Sequence, residues 1–312
     1  MDEIMATTDV ICIGHASYDM VYSLDALPDH GEKTQADGLI MCGGGPAANA
    51  AVAIARLGSR AAFCGYIGND MPGRVQLQEL ARAGVNTDMV VRGDAATPVS
   101  CVWVTPDGQR TLVNYKGDTR ALERSAFRPL QQRPRVLLAD GHEPELALAA
   151  LDWVRQDVGS HCSVVLDAGS LHAGTQSLMY RVDHLVASEK FARQFLGRDD
   201  PEAALAAWCT RVPVAVVTLG ERGLVWRCGA ESGRLPAFTV DAVVDTTGAG
   251  DAFHGAYAAG LSSGLSWEAL LRRASVAGAA CCEVLGARPG LPSAQRVEAL
   301  LADFVFAGIE RL

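Results

Sequence analysis

Residues 245–256 read Asp-Thr-Thr-Gly-Ala-Gly-Asp-Ala-Phe-His-Gly-Ala. The chain leaves a β-like run at Val243-Val244, passes two glycines and enters an apolar helical pattern. A helix start carries unpaired N–H groups and a partial positive charge. Glycine lets the backbone approach a ligand closely and adopt positive φ. Gly248-Ala249-Gly250 is therefore a candidate phosphate site. Asp251, in the first turn, has two readings. It caps the helix, or it takes the proton of a hydroxyl that attacks a phosphoryl group, while the N–H groups stabilise charge on the phosphoryl oxygens.

A second breaker cluster, Cys42-Gly43-Gly44-Gly45-Pro46, precedes an Ala-rich helix from Ala47 to Leu57, with Gly58 as its stop. Proline fits a first helical turn because its missing N–H has no partner there anyway. The almost wholly Ala, Val and Ile face of that helix predicts a buried element.

The elements around these turns alternate. Short apolar runs at Val10–Gly14, Ala61–Ile67, Arg135–Ala139, Val164–Asp167, His184–Ala187 and Val214–Leu219 predict buried strands. Helical patterns lie at Met71–Ala83, Glu145–Arg155, Gly248–Ala259, Trp267–Val284 and Ala294–Phe306. The alternation predicts an α/β fold with a mainly parallel sheet covered on both faces. One hairpin breaks the rhythm: Val99–Thr105, the turn Pro106-Asp107-Gly108, and Arg110–Tyr115. With strands at Tyr18–Leu24 and Lys33–Met41 it predicts a small antiparallel lid, inserted from about 18–41 and 97–118 into a single domain spanning 1–312.

Bulk properties narrow the classes. The 312 residues are 49% hydrophobic and 20% charged, with a formal net charge of −9. That is globular composition, and its acidity argues against nucleic acid as partner. Nine cysteines, with no C-x-x-C pair, predict free thiols rather than a disulfide framework or zinc site. Residues 1–8 carry two acids and no base, unlike a secretory leader. No apolar run reaches the length of a membrane span. The expectation is a cytoplasmic protein with no membrane partner.

The segment DTTGAGDAFHGA resembles the second signature of the ribokinase-like (phosphofructokinase-B) carbohydrate kinase family, and Gly43–Asn49, continuing to Gly58, resembles the first. The likeness runs from about Val10 to Leu300, including VVTLG at 216–220 and GARPGLP at 286–292. No Walker-type P-loop is present, in keeping with a family that uses the Gly-Ala-Gly-Asp turn instead. The resemblance implies a ribokinase-like three-layer α/β/α sandwich, ATP as phosphoryl donor and Asp251 as general base beside the Gly248-Ala249-Gly250 anion hole. It implies that Asp19, Gly44, Gly45 and Asn49 face the substrate. Thr218, Gly220 and Gly223 would flank the nucleotide, with Ala277, Gly278 and Cys281 behind the adenine. Asp245, Thr247 and Gly286 match positions that bind a monovalent cation such as K+. The family's Asn-x-x-Glu pattern, which helps place Mg2+ through water, is altered: Ser188 and Phe191 stand in those places, with Glu189 as the substitute carboxylate.

Substrate choice falls to the lid and its surroundings, with Lys33, Asn114, Tyr115 and His142 as candidates. The wording looks nearest the branch containing sulfofructose kinase, then ketohexokinase and ribokinase, although His142 and Asn49 stand where that branch implies Arg and Thr. A ketose, pentose or acidic sugar fits, and so does a nucleoside, because nucleoside kinases share the fold. A sensor that binds without turnover would not need Asp251. In related kinases paired lids make a dimer, so the resemblance implies a homodimer.

Overall fold

The computed structural model describes residues 8–156, 161–303 and 310–311. In chain order the strands and helices are β1 (Val10–Ile13), β2 (Ser17–Ser23), β3 (Gly38–Gly44), α1 (Pro46–Arg56), β4 (Ala61–Gly68), α2 (Met71–Arg82), β5 (Val90–Gly93), β6 (Val99–Val104), β7 (Arg110–Tyr115), β8 (Val136–Ala139) and α3 (Pro144–Arg155). There follow β9 (Ser163–Ala168), α4 (Ala173–Leu178), β10 (His184–Ser188), α5 (Glu189–Leu196), α6 (Pro201–Trp208), β11 (Val214–Thr218), β12 (Leu224–Cys228), β13 (Glu231–Leu235), α7 (Ala249–Ser262), α8 (Trp267–Cys281), α9 (Ala287–Gly290), α10 (Ala294–Asp303) and β14 (Glu310–Arg311).

The large sheet has the order β14-β13-β12-β11-β10-β9-β8-β1-β4-β5. From β11 to β5 every pairing is parallel; beyond β11 the pairings are antiparallel. Its central strands are buried on both faces, as their continuous apolar runs predict. Val10, Cys12, Leu138, Val165, Val186 and Val216 face a core built with α1, α7 and α8. Their neighbours Ile11, Ile13, Leu137, Leu166, Leu185 and Val217 face a second core built with α3, α5 and α6. Alternate residues along one strand thus feed two cores, and the three α/β/α layers follow.

The small sheet has the order β3-β2-β6-β7. Its β2–β3 and β6–β7 pairs are antiparallel, and β2 and β6 run parallel between them. Asp19, Val21, Ile40 and Val102 point to its inner face, where Val21, Val102 and Val104 form a core of their own with Ile40 and Leu285 against it. Lys33 lies outside the strand expected to contain it: β3 begins at Gly38, and Lys33 is exposed in the preceding loop. The Trp267 helix stops at Cys281 rather than Val284. The expected end of the last helix, 304–306, falls outside the described residues.

Candidate active site

In an open parallel sheet, ligands bind beyond the carboxyl ends of the strands. Here those ends carry buried acids. Asp140 follows β8 and is 5% exposed; Asp167 lies near the end of β9 and is 7% exposed. The Asp140 carboxylate accepts backbone N–H bonds from His15 (2.8 Å), His142 (2.8 Å) and Ala47 (3.2 Å). One carboxylate thereby ties β1, the β8–α3 turn and the start of α1 together.

The expected phosphate turn has the geometry its glycines require. Gly248 caps α7 with φ +84°, and a Cβ there would sit 2.6 Å from Ala287 Cβ. Beyond its own helix and chain neighbours, a Cβ at Gly250 would meet open space, so this side of the turn is uncovered. Behind the turn, Asp245 is fully buried. Its Oδ1 accepts from Thr247 N–H (2.8 Å) and Oγ1 (2.6 Å), and its Oδ2 accepts from Gly286 N–H (2.8 Å). These bonds use three of about four acceptor positions on a carboxylate. The trio expected to hold a monovalent cation is brought together by these bonds.

Asp251 projects from the first turn of α7 beside this glycine turn. Its Oδ2 accepts a 2.7 Å bond from the Asn49 amide nitrogen. Burial raises its pKa above the ordinary 3.8, and the Asn49 bond, His254 and Arg110 pull it back down. A carboxylate made more basic by burial suits proton abstraction. Both ring nitrogens of His254 face oxygens: Nδ1 lies 2.7 Å from the Gly250 carbonyl and 3.4 Å from Asp167 Oδ2, and Nε2 lies 3.1 Å from the Val186 carbonyl. Burial pushes Asp167 up to about 7, with Asp251 and Asp140 adding to the effect and His254 opposing it.

The other glycine turn lies close by. Asp19 is 4% exposed and accepts from Ser17 Oγ at 2.8 Å. Gly44 permits its position, because a Cβ at Gly44 would fall 2.0 Å from Asp19 Oδ2. Gly45 is the N-cap of α1, with φ +90°. Burial raises Asp19 above the usual carboxylate range, Ser17 and Ser100 opposing it. Strand pairing sets Asp19 beside Ser100, and Ser100 beside Asn114, in one row on one sheet face. Asn114 is exposed at the end of that row. His142 stacks on His172 (5.0 Å between ring centres) and tilts against His15 (5.1 Å); its Nδ1 lies 3.5 Å from Lys116 Nζ.

Some expected roles change. Asn49 is only 2% exposed. Its amide oxygen accepts from Arg288 Nε (2.9 Å) and its nitrogen serves Asp251, so it faces the protein rather than a sugar. Ala277 and Cys281, expected against the adenine, are fully buried in the core under α7. Cys281 Sγ lies 3.7 Å from the Thr247 carbonyl, supporting the phosphate turn from behind. Glu189 pairs with Arg222 of the loop after β11 instead of standing free for magnesium-bound water. Thr218, Gly220 and Gly223 lie together there: Thr218 Oγ1 donates to the Ala187 carbonyl at 3.4 Å, and Gly223 turns with φ +83°.

Sequence reasoning passed over Arg110, Asp140, Asp167 and Arg288. Arg110 Nη1 donates to Thr246 Oγ1 (2.9 Å), and Thr246 N–H and Oγ1 both donate to the Gly108 carbonyl (3.2 and 3.1 Å). The β6–β7 hairpin thus bonds directly to the residue preceding Thr247 and the phosphate turn. The aspartates carried a legible signal, an acid closing a buried strand. Arg110 carried none, and Arg288 went unremarked within the GARPGLP stretch.

A glycine-bearing helix start with a buried carboxylate beside it, and a second acid on a glycine turn, are compatible with phosphoryl transfer to a small hydroxyl compound. Comparison with known proteins agrees. The model of the pfkB family carbohydrate kinases matches residues 7–294, and the chain belongs to that family. It is 29% identical over 299 residues to the ribokinase of Bacillus subtilis (strain 168), covering 94% of this chain and 99% of that protein. The structure of Arabidopsis thaliana ribokinase complexed with ribose and ATP superposes with a TM-score of 0.80 at 25% identity, covering 96% of this chain and 100% of that one. Adenosine kinase from Sinorhizobium meliloti gives a TM-score of 0.80 at 25% identity, covering 95% and 100%. Among the described residues no helix is long and apolar enough to cross a membrane.

Proposed function

We propose that the chain is an ATP-dependent kinase that phosphorylates a hydroxyl of a small sugar or sugar derivative: a ketose, a pentose or an acidic sugar. The observation that carries this reading is the placement of Asp251 at the Gly248–Gly250 helix start, its carboxylate held by Asn49 at 2.7 Å. Asp251 takes the hydroxyl proton as the oxygen attacks the γ-phosphorus. The N–H groups of the turn then carry the charge that grows on the transferred group. Asp19 and Asn114, in one row on the inner face of the small sheet, orient the acceptor, with His142 and Lys33 at its approaches. The nucleotide lies along Thr218, Gly220 and Gly223. The small sheet, about 18–41 and 97–118, acts as the lid of a single domain.

Magnesium on the ATP phosphates would neutralise their charge and draw electrons from the breaking bond. Among the described residues no group of three or more His, Cys, Asp or Glu could hold a metal ion by itself, so the ATP phosphates would be its principal ligands. The nine cysteines are free, which suits the reducing cytoplasm proposed as its location.

The test is ADP formation from MgATP with a panel of pentoses, ketoses, sugar acids and nucleosides. The reading expects acceptor-dependent ADP and a phosphorylated product for at least one sugar. Turnover with nucleosides alone would replace it with the nucleoside reading that the adenosine kinase neighbour supports. Tight ligand binding without turnover would make the protein a sensor.

We also propose a homodimer through the lid. Met41, Met20, Cys101 and Val113 form one row across its outer face, and Leu39, Tyr22 and Trp103 lie in the next. Leu39 is 49% exposed, Met41 55% and Val113 57%, an apolar face beside the exposed edge strand β7. Light scattering on a sizing column should give twice the 32.9 kDa chain mass, and Met41→Glu with Val113→Asp should give monomer. A wild-type monomer at tens of micromolar contradicts the dimer.

A further inference from the structure

Arg288 belongs to α9, far from Asp251 in sequence, yet it is 4% exposed and sits one residue from the catalytic carboxylate. Its Nε donates to Asn49 Oδ1 at 2.9 Å, and Asn49 Nδ2 donates to Asp251 Oδ2 at 2.7 Å. On its other side, Arg288 Nη1 lies 3.4 Å from Glu79 Oε2, an oxygen that also accepts from Gly43 N–H at 2.9 Å. Glu79, Arg288, Asn49 and Asp251 form one line from the substrate-side glycine turn to the base.

The polarity of this line is forced. Arginine can only donate, and an ionised carboxylate can only accept. Between them the amide of Asn49 has one orientation that makes both bonds. Turned over, it would set N–H against guanidinium and oxygen against carboxylate. A buried guanidinium is costly unless it is paired and its donors are bonded. Here Nη2 has no hydrogen-bond partner among the described residues, so the compensation is incomplete. Stability alone is a weak reason for a buried cation held this way; control of the Asn49 amide is a specific one.

We propose that Arg288 is a positioning residue for phosphoryl transfer: by donating to the Asn49 amide oxygen, it locks that amide with its nitrogen toward Asp251. The lock fixes the carboxylate's orientation and favours its ionised form through the Asn49 bond. It also couples the substrate turn to the base, because Glu79 holds both Gly43 and Arg288. This rests on Asp251 being the base.

Other groups act on Asp251 as well: His254 of α7, Arg110 of β7, Asp140 after β8, Asp167 of β9, Asp19 of β2 and the Cys281 thiol of α8. Of these, Asp19 also feels the charge of Arg288, so the Asn49→Ala background, in which the lock is already broken, separates the lock from the lost charge.

The experiment titrates the Asp251 carboxylate by 13C NMR, its resonance assigned by loss in Asp251→Asn, and measures kcat and KM with the acceptor found by the panel. Arg288→Met should move the Asp251 midpoint up by about one pH unit. It should lower kcat about 10- to 100-fold, with KM for ATP little changed. Arg288→Lys, which restores one donor to the amide oxygen, should recover most of both. In an Asn49→Ala background, Arg288→Met should move the midpoint no further. Should the Met protein fail to fold, Arg288→Gln, which offers either amide end to Asn49, should shift the midpoint in the same direction. An Asp251 midpoint unmoved in the folded Met or Gln protein would overturn the proposal, as would a full Arg288 effect in the Asn49→Ala background. The titration needs no turnover, so absence of kinase activity would defeat the kinase reading without deciding the lock.

Discussion

Asp251→Asn should reduce kcat by roughly 10²- to 10⁴-fold, the range for loss of a positioned general base, while ATP affinity changes little. Asparagine keeps the size of the side chain and can still meet the Asn49 amide, so the helix start should survive. What disappears is the ability to accept the hydroxyl proton. Calorimetric binding of a non-hydrolysable ATP analogue, beside initial rates, separates the two. Equal loss of binding and rate would point to collapse of the turn instead.

Gly248→Val should be nearly as damaging for a different reason. Gly248 has φ +84°, a conformation side chains rarely adopt, and a Cβ there would lie 2.6 Å from Ala287. Either the turn reorients its N–H groups or α9 moves away. Both spoil donors that must be aimed before the charge develops, and loss of one such donor costs about 10²- to 10³-fold in kcat. Binding of the nucleotide phosphates should weaken too, unlike in Asp251→Asn. Gly250→Ala is the control: open space surrounds its Cβ position, so the apo protein should keep its stability and lose activity only through crowding of the ligand.

The contrast between these residues shows what could be read from the chain alone. Gly248, Gly250 and Asp251 are contiguous or nearly so, and neighbouring residues at a strand-to-helix turn have their geometry written in local backbone preference. The same holds for Gly44, Gly45 and the buried strands from Val10 to Val217, whose apolar runs need no tertiary information. Arg288 and Asn49 are 239 positions apart, and neither residue type signals a bond to the other. Asn49 was therefore expected to face a sugar, when its amide is consumed by Arg288 and Asp251. Cys281 and Ala277 failed similarly: helical spacing shows that a face is apolar, not whether it meets core or adenine. The antiparallel edge, β12 and β13, was also passed over. β12 is buried over Leu224–Trp226, β13 runs from exposed Glu231 to buried Leu235, and the chain turns between them at Gly229, so they make sense as strands only once β11 is in place.

The most direct test of the account is the pH dependence of kcat for the wild type and Asp251→Asn, with the acceptor identified by ADP formation. Burial raises Asp251 above 3.8, and the base works only when ionised. The wild-type rate should therefore fall on the acid side with a one-proton limb whose midpoint lies above that value. The residual rate of Asp251→Asn should lack this limb. An Asp251→Asn protein that keeps the same acid limb, or a wild-type rate that does not fall with acid in the folded protein, would contradict Asp251 as the base.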